Sequence, residues 1–325
     1  MECFAQSAKL PVAFREVANE RKVDVYLGGS FFTAFLYPEN MEKAVLFPIL
    51  SPQGKPVTRG YPLKPRSFER TDHPHHVGLW FNFGDVNGLD YWNNSFAVTE
   101  DKKKNYGSIV TTGIVAKRPR VGQLQVVSEW QNSAHKACLR ENTTYTFSGN
   151  AKMRCIVRKA TLHALETVTF TENKEGMLGL RVARTFEEPD SKPAVFTDAN
   201  GIETTVSAVN DADANGIYRN REGLVGAEVW GKRSQWVALR ADNGGEITTI
   251  VIIDHPKNPN YPAWSHARGY GLFAINSLGG RAFDKNTDMV KITMNPGDEL
   301  TFSYQIIIGG DLSDSEINTI AKKFR

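Results

Sequence analysis

The chain has 325 residues, of which 41% are hydrophobic and 23% are charged, as in folded globular proteins rather than disordered ones. Its 39 basic and 36 acidic residues leave a net charge of +3, too even a balance for a nucleic-acid surface that releases many counterions. No stretch approaches the roughly 18 to 20 consecutive apolar residues that a membrane-spanning helix needs. We therefore expect no nucleic-acid partner and no membrane-spanning segment.

The cysteines and the N-terminus bear on where the protein resides. Cys3, Cys138 and Cys155 are odd in number and lack CxxC spacing, so they indicate neither a disulfide framework nor a cysteine zinc site. Cys3 and Ala5 are small residues two positions apart, as at the end of a trimmed signal peptide. Residues 1–12 are predicted to be a signal-peptide remnant, implying a periplasmic or secreted protein, or else a disordered N-terminus of a cytoplasmic one.

The hydrophobic pattern predicts strands along most of the chain. Val23 to Tyr37 surround Gly28-Gly29 and indicate a hairpin. Further strands are predicted at 44–50, 109–116, 124–130, 136–147, 151–162, 167–170, 180–186, 236–241, 246–253, 270–275, 290–294 and 299–308. Between the first strands, residues 51–74 are rich in proline, glycine and arginine and are predicted to be a long surface connection, too rich in arginine to be core.

One helix is predicted, at the C-terminal end. Ser313 and Glu316 have the spacing of a capping box, and Ile317, Ile320 and Phe324 recur on one helical face, so we expect this helix to cap a sheet edge. Residues 187–222 are rich in Asp, Asn and Gly and are predicted to be an inserted loop rather than a linker. The predicted fold is therefore an all-β, large antiparallel sandwich with a short C-terminal helix. Residues 13–325 are expected to form a single domain that unfolds in one cooperative transition.

Three of the seven histidines fall within four residues, at His73, His75 and His76. Imidazole binds transition metals, transfers protons near neutrality and hydrogen-bonds hydroxyl groups. In an extended segment, His73 and His75 would share one face and His76 the other, unless Pro74 introduces a kink. The alternatives are a catalytic cluster, a divalent-metal site at these three histidines, and imidazoles that satisfy buried backbone groups.

Carboxylates, an amide and indoles follow the histidine cluster closely. They are supplied by Trp80, Asp85, Asn87, Asp90 and Trp92. Asn87-Gly88 is also the signal of a type I′ turn, so Asn87 has a structural alternative.

A second polar segment repeats the Asp-His-Pro triplet and adds an amide, an indole, another imidazole and a guanidinium. It comprises Asp254, His255, Asn258, Trp264, His266 and Arg268. Glu175 and Arg181 lie between the two segments, on a turn that leads into a strand, where Arg181 is either an exposed charge or a paired charge in a cleft. Loops leaving the same end of neighbouring strands can meet, so we expect the two Asp-His-Pro segments to share one cleft; two unrelated turns are the alternative.

These segments together resemble a family of bacterial proteins labelled PmoA, or methane oxygenase, over nearly the whole chain. The matching stretches are 72–80, 84–88, 175–181 and 254–268. A particulate methane oxygenase subunit is an integral membrane protein, so the resemblance implies membership of the family rather than that activity. The succession of strands is also similar to the sandwich of sugar mutarotases, a likeness of architecture alone.

We interpret the sequence as that of a carbohydrate-active protein that binds a sugar or glycoside in a cleft lined by His, Trp, Asp and Arg. An enzyme is slightly favoured, acting by acid–base epimerisation, elimination or hydrolysis. The candidate catalytic residues are His73, His75, His76, His266, Asp85 and Glu175. The candidate substrate-binding residues are Trp80, Asn87, Trp92, Arg181, Asp254, His255, Asn258, Trp264 and Arg268. The alternatives are a non-catalytic sugar-binding module and a metal-dependent oxygenase.

Overall fold

Two eight-stranded antiparallel sheets contain most of the strands in the computed structural model, which describes residues 8–190, 193–198, 200, 202–206 and 213–325. The first sheet has the order β1-β2-β3-β4-β5-β11-β18-β17. Its strands are β1 (Val12–Val17), β2 (Lys22–Leu27), β3 (Ser30–Leu36), β4 (Val45–Leu46), β5 (Leu79–Phe83), β11 (Gly176–Arg181), β18 (Leu272–Asn276) and β17 (Trp264–Arg268). Gly28 and Gly29, both with positive φ, make the predicted turn between β2 and β3.

The second sheet has the order β14-β15-β16-β20-β9-β8-β7-β6. Its strands are β14 (Ile217–Asn220), β15 (Trp236–Asp242), β16 (Ile247–Asp254), β20 (Glu299–Gly309), β9 (Met153–Ala164), β8 (Ala137–Gly149), β7 (Gln123–Gln131) and β6 (Ser108–Arg118). The meander from β6 to β9 runs with alternating burial, as the period-two pattern predicts. The all-β antiparallel sandwich predicted from the sequence is therefore confirmed.

Smaller elements complete the fold. Two pairs of short strands lie outside the main sheets: β10 (Val168–Thr171) with β19 (Lys291–Met294), and β12 (Ala194–Thr197) with β13 (Glu203–Val206). The C-terminal helix α1 (Asp314–Lys323) has the predicted capping box between Ser313 and Glu316. Its apolar side packs on the outward face of the second sheet, against Trp236, Val251 and Ile307. The expectation that this helix caps a sheet edge is therefore wrong: its apolar residues pack across the face of the second sheet, on side chains from β15, β16 and β20.

The main core lies between the two sheets. Phe81 from the first sheet contacts Trp130 and Phe302 from the second, at ring-centroid distances of 6.2 and 5.5 Å. Leu178 and Leu180 of β11 are also fully buried there. Burial of these side chains stabilises the sandwich by roughly 1.5–3 kcal/mol each. It also fixes which residues of β5 and β11 point away from the core.

The long connection between β4 and β5 differs from its predicted character. Arg59 is 1% exposed and Arg70 is 7% exposed, although the arginines of this stretch were expected to be excluded from the core. Both are buried because they have partners: Arg59 pairs with Asp72, and Arg70 pairs with Glu187. Burying a guanidinium is tolerated when it is paired and hydrogen-bonded.

The N-terminal segment packs against the second sheet from Leu10 onwards. The amide of Leu10 donates to the carbonyl of Gly149, and β1 begins at Val12. The signal-peptide expectation depends on Cys3 and Ala5, which lie outside the described residues. The strand predicted at 180–186 instead spans Gly176–Arg181. No helix among the described residues is long and apolar enough to cross a membrane.

Candidate functional site

Alternation along the strands of the first sheet sorts its side chains onto two faces. Phe81, Leu178 and Phe273 lie in the core, so their immediate neighbours point to the opposite face, which we call the outer face. Residues directly opposite one another in antiparallel strands share a face. One row across the outer face contains Trp80, Gly179, Ala274 and His266, and the next contains Arg181, Leu272 and Arg268. The sheet therefore brings residues 80, 181, 266 and 268 to one face, where Trp80, Arg181 and His266 are buried under the segments that cover it.

Arg59 holds the segment 70–76 in place beside this face. Its guanidinium donates at 2.7–3.1 Å to the backbone carbonyls of Arg70, Asp72, His73 and His76, and to the Asp72 carboxylate. Backbone carbonyls that converge on one buried cation fix the loop's path. Arg59 lies 14 residues before His73 and 17 before His76 in the sequence. Its hydrogen bonds to the backbone of this segment therefore set the direction of the histidine side chains.

Asp72 and His73 form a hydrogen-bonded pair at the surface of the site. The distance from His73 Nδ1 to Asp72 Oδ2 is 2.8 Å, and the two side chains are 40% and 34% exposed. Arg181, fully buried, donates to Asp72 Oδ1 at 2.5 Å. Burial alone would raise the pKa of the Asp72 carboxyl, but the hydrogen bond to His73 and the charges of Arg181 and Arg59 hold it well below its usual range.

Four aromatic rings stack in a row against the sheet. His76 lies 5.3 Å from Trp80, His73 lies 4.8 Å from His76, and Tyr270 lies 4.9 Å from His73, measured between ring centroids. The planes of His73, His76 and Tyr270 are within a few degrees of parallel. Trp92 closes the inner end by packing on Trp80 at 5.1 Å. Burial and the neighbouring histidine and arginine charges keep the pKa of His76 well below its ordinary value, so its ring is neutral.

A second acid–base pair lies on the same face. His266 Nδ1 is 3.7 Å from Glu175 Oε2, and Glu175 also pairs with Lys174. Burial first, and then the charges of Arg268 and Lys174, lower the pKa of His266 to about 3. A neutral His266 beside a carboxylate can accept or share a proton.

Tyr270 lies between the two pairs. Its ring stacks on His73 and lies 5.0 Å from the Arg181 guanidinium. Burial, opposed by the charge of Arg181 and supported by that of Glu175, raises the pKa of Tyr270 to about 12. The hydroxyl therefore stays protonated and can donate a hydrogen bond at neutral pH.

His75 faces a different space from its two neighbours in the cluster. It lines a cavity of about 310 Å³ together with Lys43, Phe96 and residues of the β3–β4 connection. Burial and then the nearby Lys43 charge lower the pKa of His75 to about 2. The ring still touches His76 edge-on at 4.3 Å, so the cavity and the ring stack are adjacent.

Three candidates of the second Asp-His-Pro segment lie elsewhere. Asp254 ends β16 in the second sheet, where its carboxylate accepts hydrogen bonds from Asn258 Nδ2 and the Ala263 amide. Asn258 in turn bonds to the backbone of β20 at Ser303. His255 packs edge-on against Phe324 after α1. Of the second Asp-His-Pro segment, residues 266–268 lie on the outer face and Tyr270 stacks on His73. Asp254, His255 and Asn258 do not take part, because β16 belongs to the other sheet. A cavity shared by His73 or His76 with His266 or Arg268 stays a prediction.

Asp85, Asn87 and Trp264 also have structural surroundings. Asp85 accepts from the Gly88 amide, and Asn87 bonds to β10 through Thr169, with Asn87 and Gly88 at the positive φ values of the predicted turn. Trp264 shares the outer face by register, but its ring lies 4.5 Å from Arg233 beside a separate cavity.

The sequence did not identify several residues that build the site. Arg59 and Lys43 carry no motif signal. Tyr270 follows Arg268 by two positions, and only its stacking on His73 marks it. Phe283 and Trp230, from distant segments, complete a wall in which Phe283 contacts His266 at 5.6 Å and Trp230 contacts Arg268 at 4.7 Å.

Among the described residues, no group of three or more His, Cys, Asp and Glu side chains is arranged to hold a metal ion. His73 and His76 stack with parallel rings, so the in-plane lone pairs of their nitrogens run side by side rather than converging. A divalent metal at His73, His75 and His76 stays a prediction.

Comparison with known proteins places the chain in a family. A sequence model described as a family of unknown function, DUF6807, matches residues 22–322. The chain belongs to the DUF6807 family. The match includes every candidate site residue of this DUF6807 protein. The PmoA label stays a prediction, since the family's description does not carry it. No curated protein matches the sequence significantly.

Solved structures give distant likenesses to this DUF6807 protein. The GH36 α-galactosidase AgaB from Geobacillus stearothermophilus aligns with 92% of the chain and 41% of its own length, at a TM-score of 0.41 and 8% identity. A putative aldose 1-epimerase from Escherichia coli K12 aligns with 93% of the chain and 99% of its own, at a TM-score of 0.34 and 11% identity. The chain thus spans about two fifths of the galactosidase. At these values neither activity is carried to this protein.

Proposed function

We propose that this protein binds a sugar or glycoside on the outer face of its first sheet and that His73 transfers a proton to or from it. The observation that carries the proposal is the Asp72–His73 pair, which is exposed on one side and anchored on the other by two buried arginines. Epimerisation, elimination and hydrolysis of sugars all need such a proton transfer.

His73 is suited to act as a general base. The Asp72 carboxylate is ionised, so its Oδ2 accepts a hydrogen bond from the Nδ1–H of His73. That hydrogen bond fixes the tautomer and leaves Nε2 with a free lone pair. Arg59 and Arg181 keep Asp72 in position, so the ring does not reorient when it takes up a proton. In many hydrolytic sites, too, a carboxylate that accepts a hydrogen bond from Nδ1–H holds a histidine base in the required tautomer and orientation.

The surrounding groups match a polyhydroxylated ring. Hydroxyl groups both donate and accept, and the site offers carboxylate acceptors at Asp72 and Glu175 and donors at Tyr270 and Arg268. The half-buried Tyr270 also presents aromatic surface, which suits the apolar face of a pyranose. Glu175 and His266 supply the second proton-transfer group that an epimerase or a lyase requires.

A non-catalytic sugar-binding module is the second candidate. It is favoured by the covering of both faces of the His73 ring, one by His76 and the other by Tyr270. A histidine packed on both faces can have the structural role of holding the loop in place, without transferring a proton.

The two candidates differ in whether His73 is needed for conversion of ligand or only for structure. The test uses methyl glycosides of glucose, galactose, glucuronic acid and galacturonic acid, with ligand-observed NMR reporting both binding and the appearance of new product signals. For an enzyme, His73→Gln should lower turnover by about 10²- to 10⁴-fold while the affinity changes by only a few fold. A binding module shows binding without turnover in wild type and variant alike.

His135→Gln provides the matched control, because His135 sits in an exposed turn remote from the outer face. It should behave as the wild type in both readouts. Turnover at the wild-type rate by His73→Gln would eliminate His73 as the base. Failure of the wild type to bind any of the glycosides would overturn the carbohydrate proposal itself.

A further inference from the structure

A second space adjoins the ring stack at His75, whose ring contacts His76 edge-on. It is a cavity of about 310 Å³ lined by the β3–β4 connection, by residues 94–96 and by Pro74 and His75. This is at the lower end of the roughly 300–1,000 Å³ of small-molecule sites, the size of one ring substituent or one small ring. Its walls are mostly apolar, including Met41, Leu63 and Phe96.

Lys43 is the exceptional side chain of this cavity. It is only 5% exposed, and it forms neither a hydrogen bond nor an ion pair with any residue that the structure describes. Its ammonium lies 5.8 Å from the centre of the Trp80 ring, and the ring of His76 stacks on that same indole. Buried ammonium groups are normally paired with an anion. Beyond its contact with the Trp80 ring, Lys43 has no anionic partner among the described residues, and a ligand can provide one.

The nearest carboxylates are already engaged. Glu42 Oε2 accepts from Ser108 Oγ at 2.8 Å and from Asn94 at 3.4 Å. Asp90 accepts from the amides of Trp92 and Asn93. Burial outweighs the attraction of these two acids and lowers the pKa of Lys43 to about 8, so the side chain is mostly cationic at neutral pH.

The charge balance of the cavity favours a single negative charge over two. His75 is neutral because of its burial and the neighbouring Lys43. Glu42 is another wall residue and contributes a negative charge. The Glu42 carboxylate is hydrogen-bonded by Ser108 and Asn94 rather than by Lys43, so the ammonium can still pair with one negative charge. A phosphate dianion is normally held by several cationic or N–H donors, which Lys43 alone does not supply. A carboxylate monoanion fits.

We propose that this cavity is a carboxylate subsite in which Lys43 binds the acidic group of a uronic acid or uronide. This inference rests on the proposed function, because it takes the sugar ring to lie on the outer face beside the ring stack. It narrows the substrate class from sugars in general to acidic sugars. His75, which touches both spaces, marks the boundary between the ring and its carboxylate.

The experiment compares the methyl glycosides of glucuronic and galacturonic acid with those of glucose and galactose, which differ only at the carboxylate carbon. Dissociation constants are measured by NMR titration for the wild type, Lys43→Met and Lys104→Met, the last altering an exposed lysine as a control. The wild type and Lys104→Met should prefer the uronides, and Lys43→Met should lose that preference by about 10- to 100-fold. Methionine retains the stem and removes the unpaired charge, so this variant should fold at least as well as the wild type.

A pH series supplies an independent readout. Uronide affinity of the wild type should fall as the pH rises through about 8, because the free lysine loses its proton there, while the affinity for neutral glycosides stays level. Equal binding of uronides and neutral glycosides, unaffected by Lys43→Met, would overturn the carboxylate subsite and leave the proposed function standing. Tighter binding of glucose 6-phosphate than of the uronides would overturn the assignment to a carboxylate. Absence of binding by every glycoside would overturn the proposed function and this inference with it.

Discussion

At the scale of single residues, the site depends on the guanidinium of Arg59, which acts by holding the loop in place and not by contact with a ligand. Arg59 is buried and donates to the carbonyls of a loop that has no regular secondary structure. Together with Arg181 it places two cations on Asp72. The carboxylate is thereby kept ionised, and the orientation of His73 follows from it.

Arg59→Met should therefore destabilise the protein and abolish glycoside binding together. Removing Arg59 leaves the carbonyls of Arg70, Asp72, His73 and His76 without their donor, while Asp72 keeps Arg181; each buried polar group left unsatisfied costs about 1–3 kcal/mol. The free energy of unfolding from urea titration measures the effect. Arg120→Met, in an exposed turn, is the control and should stay within about 0.5 kcal/mol of the wild type. A variant of Arg59 with wild-type stability would contradict the role assigned here.

The histidines and Arg181 can be predicted from the sequence, but Arg59, which orients the histidine segment, cannot. The clustering of His73, His75 and His76 is visible in one dimension, as is the carboxylate at Glu175. Arg59 has no periodic or motif signal, since its partners are backbone carbonyls that any residue could supply. Asp254 and His255 carried the same local signal as Asp72 and His73, yet β16 lies in the other sheet. Only the strand order separates the two triplets.

At the scale of elements, the central strand β11 makes room for the ring stack by omitting a side chain. Gly179 lies directly opposite Trp80, and a Cβ at this position would come within 2.4 Å of the Trp80 ring. The indole lies flat across the strand as a result. His76 and then His73 stack on that indole, so the height of the whole row depends on this glycine.

Gly179→Ala should lift Trp80 from the sheet and disturb the row of rings. Overpacking of this kind costs about 1–3 kcal/mol, and glycoside affinity should fall as well, because His73 moves with the stack. Gly113→Ala is the matched control: Gly113 is also within a strand, β6, and nothing lies within 4 Å of the added Cβ. Thermal unfolding and NMR titration of both variants test the idea, which fails if the two behave alike.

The elements themselves were largely accessible from sequence, with systematic exceptions. The sequence predicts long strands such as β7 and β8 because one face of each is more exposed to solvent than the other, which gives alternating polarity. β11 was placed several residues too late, because its six residues are all buried and continuous burial removes the period-two signal. The pattern also gives no strand at β17, where the polar Ser265 and His266 are buried beside apolar residues.

At the scale of the whole molecule, the sandwich buries three of its histidines in the neutral state. His75, His76 and His266 all have their pKa lowered chiefly by burial, to about 2 for His75 and about 3 for His266. In the unfolded chain each would titrate near 6.5. Asp254 acts in the opposite sense, since burial raises its pKa to about 7 against the hydrogen bonds from Asn258 and Ala263.

The protein should consequently lose stability steeply as the pH falls from about 6.5 towards 4. In this window the unfolded chain binds protons at the three histidines and the folded protein does not, so unfolding is favoured by about 1.4 kcal/mol per pH unit for each histidine. The folded protein holds an extra proton on Asp254 over the same range, which cancels one of the three contributions. The net slope is therefore expected to be about 2–3 kcal/mol per pH unit. Urea titrations between pH 5 and pH 6 measure it, and His266→Gln should reduce it by about 1.4 kcal/mol per pH unit. A slope that is flat, or that His266→Gln leaves unchanged, would show that these imidazoles are solvated in the folded protein, and the enclosed site described here would lose its physical basis.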